Sequence, residues 1–248
     1  MAAGRRKGVI LAGGRATRLR PLTYVTNKHL LPVYNKPLIF YQIEAMAKAG
    51  VEEVLIVTNP EHAGHFMNLL RSGKHWGLRL SYEIQEEAGG MAQVVGLAET
   101  FARNNRVLVL AGDNIFTQSL RPALERFQEL DRGAMTFAKE VSEPQHYGVV
   151  ELADGKVISI VEKPAKPRSP YAQMGIYMYD ERVFDFVRQQ EASERGELEI
   201  TTLNNFYVEE GTCYGEIMQG YWIDVGVSFD ELLAANNKVA ELVRTGEL

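Results

Sequence analysis

The first half of the chain alternates short apolar runs, rich in β-branched residues, with longer segments in which apolar residues recur every three or four positions. This alternation is typical of βαβ units, in which helices cover a parallel sheet through right-handed crossovers. The predicted strands are residues 8–12, 53–58, 78–84 and 106–111, and the predicted helices are residues 38–49, 62–71 and 91–102. Because ligands of such sheets bind outside the carboxyl ends of the strands, the loops after these strands are the first places to search for a site.

The pattern changes after about residue 133, where apolar runs follow one another closely. The spacing predicts strands at residues 134–141, 147–152, 156–162 and 171–179, with a hairpin turn at Asp154 and Gly155. It then predicts helices at 181–189 and 197–210, a strand at 215–224 and an amphipathic helix at 229–243. The predicted fold class is α/β: a Rossmann-like, mixed, mainly parallel sheet flanked by helices, with antiparallel insertions that form one wall of a pocket.

Length and composition favour one globular domain over residues 1–248, since 46% of the side chains are hydrophobic. The formal net charge of −5 gives no sign of a nucleic-acid groove. After the basic residues 5–7, the apolar stretch 8–12 is too short for a signal peptide or a membrane span. We therefore expect a cytoplasmic protein without a membrane or nucleic-acid partner. The single cysteine, Cys213, excludes an internal disulfide.

The loop after the first predicted strand is led by two glycines and is strongly basic. Gly13 and Gly14 allow backbone N–H groups to approach phosphate oxygens, and Arg15, Arg18 and Arg20 offer charges that neutralise a triphosphate. The loop fits neither the Walker A pattern nor GxGxxG, which argues against a dehydrogenase-like dinucleotide binder. Taken alone, it is equally a glycine turn followed by a solvated basic stretch.

The segment from Gly13 to Val33 reads GGRATRLRPLTYVTNKHLLPV. It resembles the signature of sugar-1-phosphate nucleotidylyltransferases, GGxGTRLxPLT followed by KxLLP, and most closely a short form of the glucose-1-phosphate thymidylyltransferases. In that family the arginine and the lysine bind the triphosphate and stabilise the charge of the transfer step. The resemblance implies these roles for Arg18 and Lys28. The chemistry suits them, because an in-line attack at the α-phosphorus brings two anions together.

Two aspartates follow apolar runs in the manner of residues at strand ends. Asp113 lies in LVLAGDNIF and Asp224 lies in YWIDVG. Their spacing is compatible with a magnesium site and equally with two aspartates that cap turns. The resemblance implies the first: both residues are metal ligands for Mg²⁺, which bridges the nucleotide and the sugar phosphate.

Gln85 opens the segment QEEAGGMAQVVG at the end of a predicted strand. In the resembling enzymes the glutamine at this place reads the edge of the base, which an amide suits because it both donates and accepts. Gly90 is expected to leave room for the base and ribose, and Leu11 and Gly13 to contact the base from the other side. The implied nucleotide-binding residues are Leu11, Gly13, Gly14, Arg15, Ala16, Thr17, Arg18, Lys28, Gln85, Gly90 and Asp113.

The antiparallel part carries further matches to the family, namely YGVVE at 147–151, IVEKP at 160–164 and YAQMGIYMYD at 171–180, where the family has YAVTGLYFYD. Alone, an adjacent Glu and Lys at a strand end form a solvated ion pair. The ordered succession of matches instead implies sugar-phosphate contacts by Gly148, Glu162, Lys163, Tyr177 and Arg195. The implied catalytic residues are Arg18, Lys28, Asp113 and Lys163. The nucleotide-binding part is then about residues 1–132, the sugar-binding part about 133–227 and the C-terminal helix about 228–244.

The chain departs from the family at several positions. Ala16 replaces a glycine, and if the backbone there has a positive φ, alanine costs on the order of 1 kcal/mol. Ala88 and Gly89 stand where Pro-Asp is common, Thr202 where aspartate is usual, and Val225 where threonine follows the metal aspartate. The chain also stops after the helix predicted to end near residue 244, before the tail of the long thymidylyltransferases.

The resemblance implies nucleotidyl transfer from a nucleoside triphosphate, dTTP first, to a sugar 1-phosphate, glucose 1-phosphate first, with release of pyrophosphate. One alternative is an enzyme that prefers UTP or accepts several bases, because thymine and uracil offer the same hydrogen bonds. Another is a non-catalytic regulatory subunit that binds nucleotide sugars, against which five charged residues argue: Arg18, Lys28, Asp113, Lys163 and Asp224. The implied partners are the two substrates and, by resemblance alone, further copies of the chain in a homo-oligomer.

Overall fold

The computed structural model describes residues 5–14 and 16–248 of the chain. Its strands are β1 (Lys7–Ala12), β2 (Pro32–Val33), β3 (Lys36–Pro37), β4 (Glu53–Thr58), β5 (Arg79–Ile84), β6 (Val107–Ala111), β7 (Asn114–Phe116), β8 (Ala134–Glu140), β9 (Gly148–Ala153), β10 (Lys156–Glu162), β11 (Tyr171–Tyr179), β12 (Cys213–Ile217) and β13 (Trp222–Asp224). Its α-helices are α1 (Leu38–Ala49), α2 (Ala63–Leu70), α3 (Met91–Leu97), α4 (Glu99–Ala102), α5 (Arg121–Glu129), α6 (Val183–Gln189), α7 (Ile200–Glu209) and α8 (Phe229–Thr245).

Within these residues one nine-stranded sheet runs in the order β5-β4-β1-β6-β11-β8-β12-β10-β9. The pairs of β1 with β4, β1 with β6 and β4 with β5 are parallel. Strands β11 and β10 run against their neighbours, whereas β12 runs parallel to β8. The predicted mixed sheet is confirmed, although four of its pairings are parallel and five are antiparallel, so it is not mainly parallel. Each antiparallel pair includes at least one strand from the second half of the chain, as expected.

Alternate residues of the central strands point to opposite faces of this sheet. On β1, Val9 and Leu11 join a core cluster with α3, α6 and α7, whereas Ile10 and Ala12 join a second cluster with α1, α2 and α5. All four side chains are buried. Helices therefore cover both faces, which explains why the central strands are apolar at every position rather than at alternate ones.

Several elements differ from the prediction, among them the short strands β2, β3 and β7, which were not predicted. The predicted strand 215–224 is two strands, β12 and β13, because Gly220 adopts φ +73° between them and turns the chain. The predicted helix 91–102 divides into α3 and α4 at Ala98. Helix α5 was not predicted, since its apolar face consists of only Ala123, Leu124 and Phe127 in a mostly polar segment.

The last helix, α8, is anchored at both ends. The Ser228 hydroxyl accepts a hydrogen bond from the backbone N–H of Glu231 at 3.1 Å, and Gly246 ends the helix in the left-handed conformation. Its buried residues Ala235 and Val239 pack with Val33 and Val225 in a third core cluster. The helix thus braces the segment that follows β13. Among the described helices, none has the length and apolar character needed to span a bilayer.

Candidate active site

The carboxyl ends of β1 and β6 bring two loops together. These strands are parallel neighbours, with Leu11 opposite Ala111. The N–H of Gly112 donates to the carbonyl of Leu11 at 2.9 Å, which holds the start of the second loop against the first strand. Asp113 therefore projects from the middle of the sheet edge, the place where α/β sheets bind their ligands.

Lys28 reaches this point from a short 3-10 helix, Lys28–Leu30, and forms an ion pair with Asp113. Asn27 fixes the approach: its Nδ2 donates to the Ala12 carbonyl at 3.1 Å, and its Oδ1 accepts from the His29 N–H at 2.9 Å. The His29 ring lies against Gly112, where a Cβ would come within 2.6 Å of the His29 Cδ2. A side chain at position 112 would thus push apart the two loops that carry Lys28 and Asp113. Asn27 and His29 were not predicted as site residues, although both flank Lys28 in the sequence.

Asp224 reaches the same place through a second, two-stranded sheet. Strand β13 pairs antiparallel with β7, so that Asp224 lies opposite Asn114. The Val225 N–H donates to the Asp113 carbonyl at 2.9 Å, and the Gly226 N–H donates to the Asp224 Oδ1 at 2.9 Å. These bonds tie the two aspartates to one another across the chain.

Gly226 borders a space shared by three charged groups. A Cβ at this position would lie 2.8 Å from the Lys28 Nζ, 2.9 Å from the Asp113 Oδ2 and 3.4 Å from the Asp224 Oδ1. The absence of a side chain at Gly226 leaves this space open. The structure thus brings together Lys28, Asp113 and Asp224, which we call the charged cluster.

Burial and mutual charge set the protonation of the charged cluster. Burial favours a neutral Lys28, but the carboxylates of Asp113 and Asp224 outweigh it and raise the pKa of Lys28. Burial disfavours ionised Asp113 too, yet the Lys28 ammonium lowers the pKa of Asp113 to about 2. Burial and the Asp113 carboxylate raise the pKa of Asp224 to about 7. When both carboxylates are ionised they outnumber the single ammonium, so the charged cluster has a net negative charge that favours binding of another cation.

A cavity of about 230 Å³, here called the Gln85 cavity, opens between β1, the end of β5 and α3. Gln85 is held at its rim by a hydrogen bond from its backbone N–H to the Thr58 carbonyl at 2.8 Å. Val94 and Ala111 contribute apolar surface. The predicted nucleotide-binding residues that line the cavity are Leu11, Gly13, Gly14, Lys28, Gln85, Gly90 and Asp113.

Gly90 also has a packing role that the sequence did not reveal. Its φ is +93°, and a Cβ there would lie 2.5 Å from the carbonyl oxygen of Leu198. Leu198 donates its N–H to the Gly89 carbonyl and accepts from the Ala92 N–H. The glycine is therefore required by the close approach of the 197–199 segment, which closes one side of the cavity.

A second cavity of about 560 Å³, here called the Glu162 cavity, lies along β9, β10 and β11. The predicted sugar-phosphate residues Gly148, Glu162, Lys163 and Tyr177 line it, together with Arg18, Asp113 and Asp224. The Thr201 hydroxyl donates to the Glu162 Oε2 at 2.8 Å and orients this carboxylate. Lys163 lies in the left-handed region at φ 44°, with its N–H bonded to the Tyr147 carbonyl at 3.0 Å. Such strain is typical of residues held in place for a function.

The residues of the Glu162 cavity that were not predicted include Asn114, Gln173 and Trp222. The Asn114 amide donates to the Asp113 Oδ1 at 3.0 Å and accepts from the Trp222 Nε1 at 2.6 Å. The Trp222 ring packs on Tyr147 at 5.6 Å between centroids. Asn114 thus links Asp113 to the aromatic wall of the cavity.

Other predicted residues lie elsewhere. Ala16 borders a polar cavity of about 480 Å³ on the far side of Lys28, and Thr17 begins the 3-10 helix Thr17–Leu19. Arg195 lines neither the Gln85 cavity nor the Glu162 cavity, and its guanidinium pairs with Glu199 at 2.8 Å. Arg15 lies outside the described residues.

Asp113 borders both the Gln85 cavity and the Glu162 cavity, so two ligands bound there would meet at the charged cluster. The fold and the site together define an α/β protein built to bring two substrates, at least one of them anionic, into contact.

Comparison with known proteins identifies the family. The sequence model of the nucleotidyl transferase family matches residues 7–241. A glucose-1-phosphate thymidylyltransferase of Mycolicibacterium smegmatis is 43% identical over 98% of this chain and 83% of its own. A solved structure from Bacillus anthracis, assigned as a glucose-1-phosphate thymidylyltransferase in complex with sucrose, superposes with a TM-score of 0.89 at 42% identity over 94% of each chain. A UDP-glucose pyrophosphorylase complexed with UDP-glucose shares the fold, with a TM-score of 0.84 at 24% identity over 96% of this chain and 99% of that one.

The chain belongs to the nucleotidyl transferase family and is an enzyme of that family. The family predicted from the signature segments is therefore confirmed.

Proposed function

We propose that the protein transfers a nucleotidyl group from dTTP to glucose 1-phosphate, giving dTDP-glucose and pyrophosphate. The observation that carries the proposal is the charged cluster at the junction of the two cavities. Relatives that match nearly the whole chain are named glucose-1-phosphate thymidylyltransferases, which supports this choice of substrates.

We place the base in the Gln85 cavity and the triphosphate over the Gly13–Gly14 loop. The apolar lining by Leu11 and Val94 suits a pyrimidine ring, and the amide of Gln85 suits its pairing edge. From there the α-phosphate reaches Lys28, whose ammonium remains charged because the aspartates raise its pKa. The exposed Arg18, on the side of the Glu162 cavity, offers a second cation to the phosphates.

The charged cluster fits a magnesium ion. Asp113 and Asp224 supply hard carboxylate oxygens, and the space beside Gly226 lies between them. Among the described residues no group of three or more His, Cys, Asp or Glu side chains forms a complete metal cage. Two carboxylates suit Mg²⁺, which commonly takes its other ligands from substrate phosphates and water. When bound, the ion would neutralise phosphate charge and orient the reactants.

The Glu162 cavity takes the sugar 1-phosphate. Glu162, held by Thr201, accepts hydrogen bonds from sugar hydroxyls, while Lys163 binds the phosphate. A phosphate oxygen of the sugar then attacks the α-phosphorus and forms a new P–O bond, as the bond from that phosphorus to the bridging oxygen breaks. Pyrophosphate leaves with the electron pair, and Lys28 and Arg18 stabilise the charge that develops.

This placement of the two substrates assigns each site to a different part of the chain. We assign residues up to about 132 to the nucleotide site and residues from about 133 to 227 to the sugar wall. The reaction takes place where the two parts meet, because Asp113 comes from the first part and Asp224 from the second.

The decisive experiment measures pyrophosphate release with magnesium and a matrix of nucleoside triphosphates against sugar 1-phosphates. We expect release that requires both substrates, is fastest with dTTP and glucose 1-phosphate, and disappears in Asp113→Asn. That substitution nearly preserves shape while removing the charge. No release from any pair, together with tight binding of a nucleotide sugar, would instead identify a non-catalytic binding subunit.

A further inference from the structure

A second glutamine stands behind the one that lines the Gln85 cavity. The Gln93 Oε1 accepts a hydrogen bond from the Gln85 Nε2 at 2.7 Å and another from the backbone N–H of Gly89 at 3.1 Å. Gln93 lies on the first turns of α3, and Gln85 follows the end of β5. One side-chain oxygen therefore joins the helix, the strand end and the loop between them.

These two bonds determine which way each amide faces. A backbone N–H can only donate, so the Gln93 atom that meets Gly89 must be its oxygen. The same oxygen can only accept from Gln85, so the Gln85 atom that meets it must be the nitrogen. The Gln85 carbonyl oxygen is consequently turned the other way, toward Gly13, where an added Cβ would collide with it.

The orientation matters because Gln85 is only 6% exposed and borders the cavity. A fixed carbonyl oxygen offers an acceptor, which requires an N–H on the pairing edge of the base. Thymine and uracil carry such an N–H at ring position 3, whereas cytosine and adenine present a lone pair at the corresponding position. A Gln85 amide free to rotate by half a turn would accommodate both kinds of base.

We propose that Gln93 is a positioning residue that fixes the amide of Gln85 and so makes the site select bases with a pairing-edge N–H. This inference rests on the proposed function, since it assumes that a nucleotide base occupies the Gln85 cavity. It adds a determinant of base selection that lies behind the residue in contact with the base.

Gly89 also helps to hold the Gln93 side chain in place. A Cβ at position 89 would lie 2.5 Å from the Gln93 Nε2 and 2.6 Å from its Cδ, so the Gln93 amide packs directly on the glycine backbone. Gly89 is one of the positions where the chain departs from the Pro-Asp of the resembling family. In this chain the missing side chain lets Gln93 fold back over the loop.

The test compares Gln93→Met with Gln93→Glu. Methionine keeps the length of the side chain but cannot accept the two hydrogen bonds, whereas a carboxylate accepts both. The readout is the ratio of kcat/KM for dTTP to kcat/KM for dCTP, each with glucose 1-phosphate. We expect the ratio to fall at least about ten-fold in Gln93→Met and to stay within about three-fold of wild type in Gln93→Glu.

A merely structural role for Gln93 predicts another result. Both nucleotides would then lose activity together, the ratio would not change in Gln93→Met, and the inference would be overturned. Gly89→Ala provides a second variant that disturbs the Gln93 amide without removing it, and we expect the same direction of change in the ratio. The KM for glucose 1-phosphate should stay near the wild-type value in all three variants, because neither residue lines the Glu162 cavity.

Failure of the proposed function is distinguishable from failure of this inference. If wild type releases no pyrophosphate, the proposed function is lost, and the variants are compared by equilibrium binding of dTTP and dCTP. A preference for dTTP that is lost in Gln93→Met and kept in Gln93→Glu would still support the positioning role. An unchanged preference in both would reject it.

Discussion

Lys28 and Asp113 form a partly buried ion pair although they lie 85 positions apart in the sequence. Asp113 lies in the loop that follows β6, and Lys28 lies in the longer segment that follows β1. The contact between His29 and Gly112 brings these two segments together. Both side chains are less than one-fifth exposed. The pair is therefore both a part of the proposed catalytic site and a charged contact inside the fold.

Lys28→Met should remove activity and some stability together. The substitution takes away the ammonium that faces the phosphates, so we expect kcat/KM to fall by about 10³-fold in the pyrophosphate assay. It also leaves the partly buried carboxylates of Asp113 and Asp224 without their cation, which should lower the free energy of unfolding by about 2 kcal/mol in urea titrations. Lys36→Met is the matched control, because it breaks the Lys36–Glu44 pair of 2.6 Å outside the cluster. Activity within ten-fold of wild type in Lys28→Met would contradict the proposed role.

Gly226→Ala tests whether the space inside the charged cluster is needed. The new methyl group would stand within 3.4 Å of Lys28, Asp113 and Asp224, where we place the metal and phosphate oxygens. We expect a loss of at least about 10²-fold in kcat at saturating magnesium, because misplacement of reacting groups by about 1 Å has effects of this size.

The control for Gly226→Ala is Gly64→Ala, since a Cβ at Gly64 meets no atom within 4 Å and the backbone there is helical. This control should keep wild-type kcat. Equal activity of the two variants would show that the space beside Gly226 has no role in the reaction.

Much of the fold could be predicted from the sequence, because strand and helix signals are local. The predicted ranges 53–58, 156–162 and 171–179 coincide with β4, β10 and β11, and the predicted helix 38–49 coincides with α1. In each case the apolar pattern extends over the whole element. Helix α5 was missed because most of its residues are polar, and the pattern there is short.

The candidate site, too, could be predicted from the sequence only in part. Signature segments identified Lys28, Asp113 and Asp224 separately, but their convergence depends on strand order and on the pairing of β7 with β13. The roles of Asn27 and Gln93 arise from side-chain hydrogen bonds to residues of other segments, which no periodic pattern of the sequence predicts. Such contacts follow from the tertiary structure and leave no signal in spacing.

The pH dependence of stability should reveal His29. Burial, and then the nearby Lys28 ammonium, lower the pKa of His29 from 6.5 to about 3, while Asp113 acts in the opposite direction. Below pH 6.5 the His29 ring therefore binds a proton in the unfolded chain but not in the folded chain. This contribution to stability is present above pH 6.5 and is lost as the pH falls toward 3.

His29→Gln removes the titrating ring. Wild type should lose about 2 kcal/mol between pH 7.5 and pH 5 from this residue alone, and the variant should lack that part of the change. Urea unfolding at the two pH values measures it. The exposed His75, replaced by glutamine, is the control and should leave the wild-type difference intact. An unchanged pH dependence in His29→Gln would mean that the folded protein binds the proton after all.

Ala16 gives a test of backbone strain in the signature loop. The sequence predicted a penalty if this position had a positive φ, and the structure places Ala16 at φ 43° and ψ 47°, in the left-handed region. A glycine adopts this conformation without the Cβ clash, so Ala16→Gly should raise the free energy of unfolding by about 0.5–1 kcal/mol. Chemical denaturation measures the change.

The matched control for Ala16→Gly is the same replacement at a right-handed position. Ala234 is exposed in the middle of α8, where glycine loses helix propensity and should lower stability by about 0.5–1 kcal/mol. The two substitutions are chemically identical, so opposite signs would isolate the backbone conformation as the cause. A loss of stability at both positions would show that other contacts of the alanine methyl group outweigh the strain at position 16.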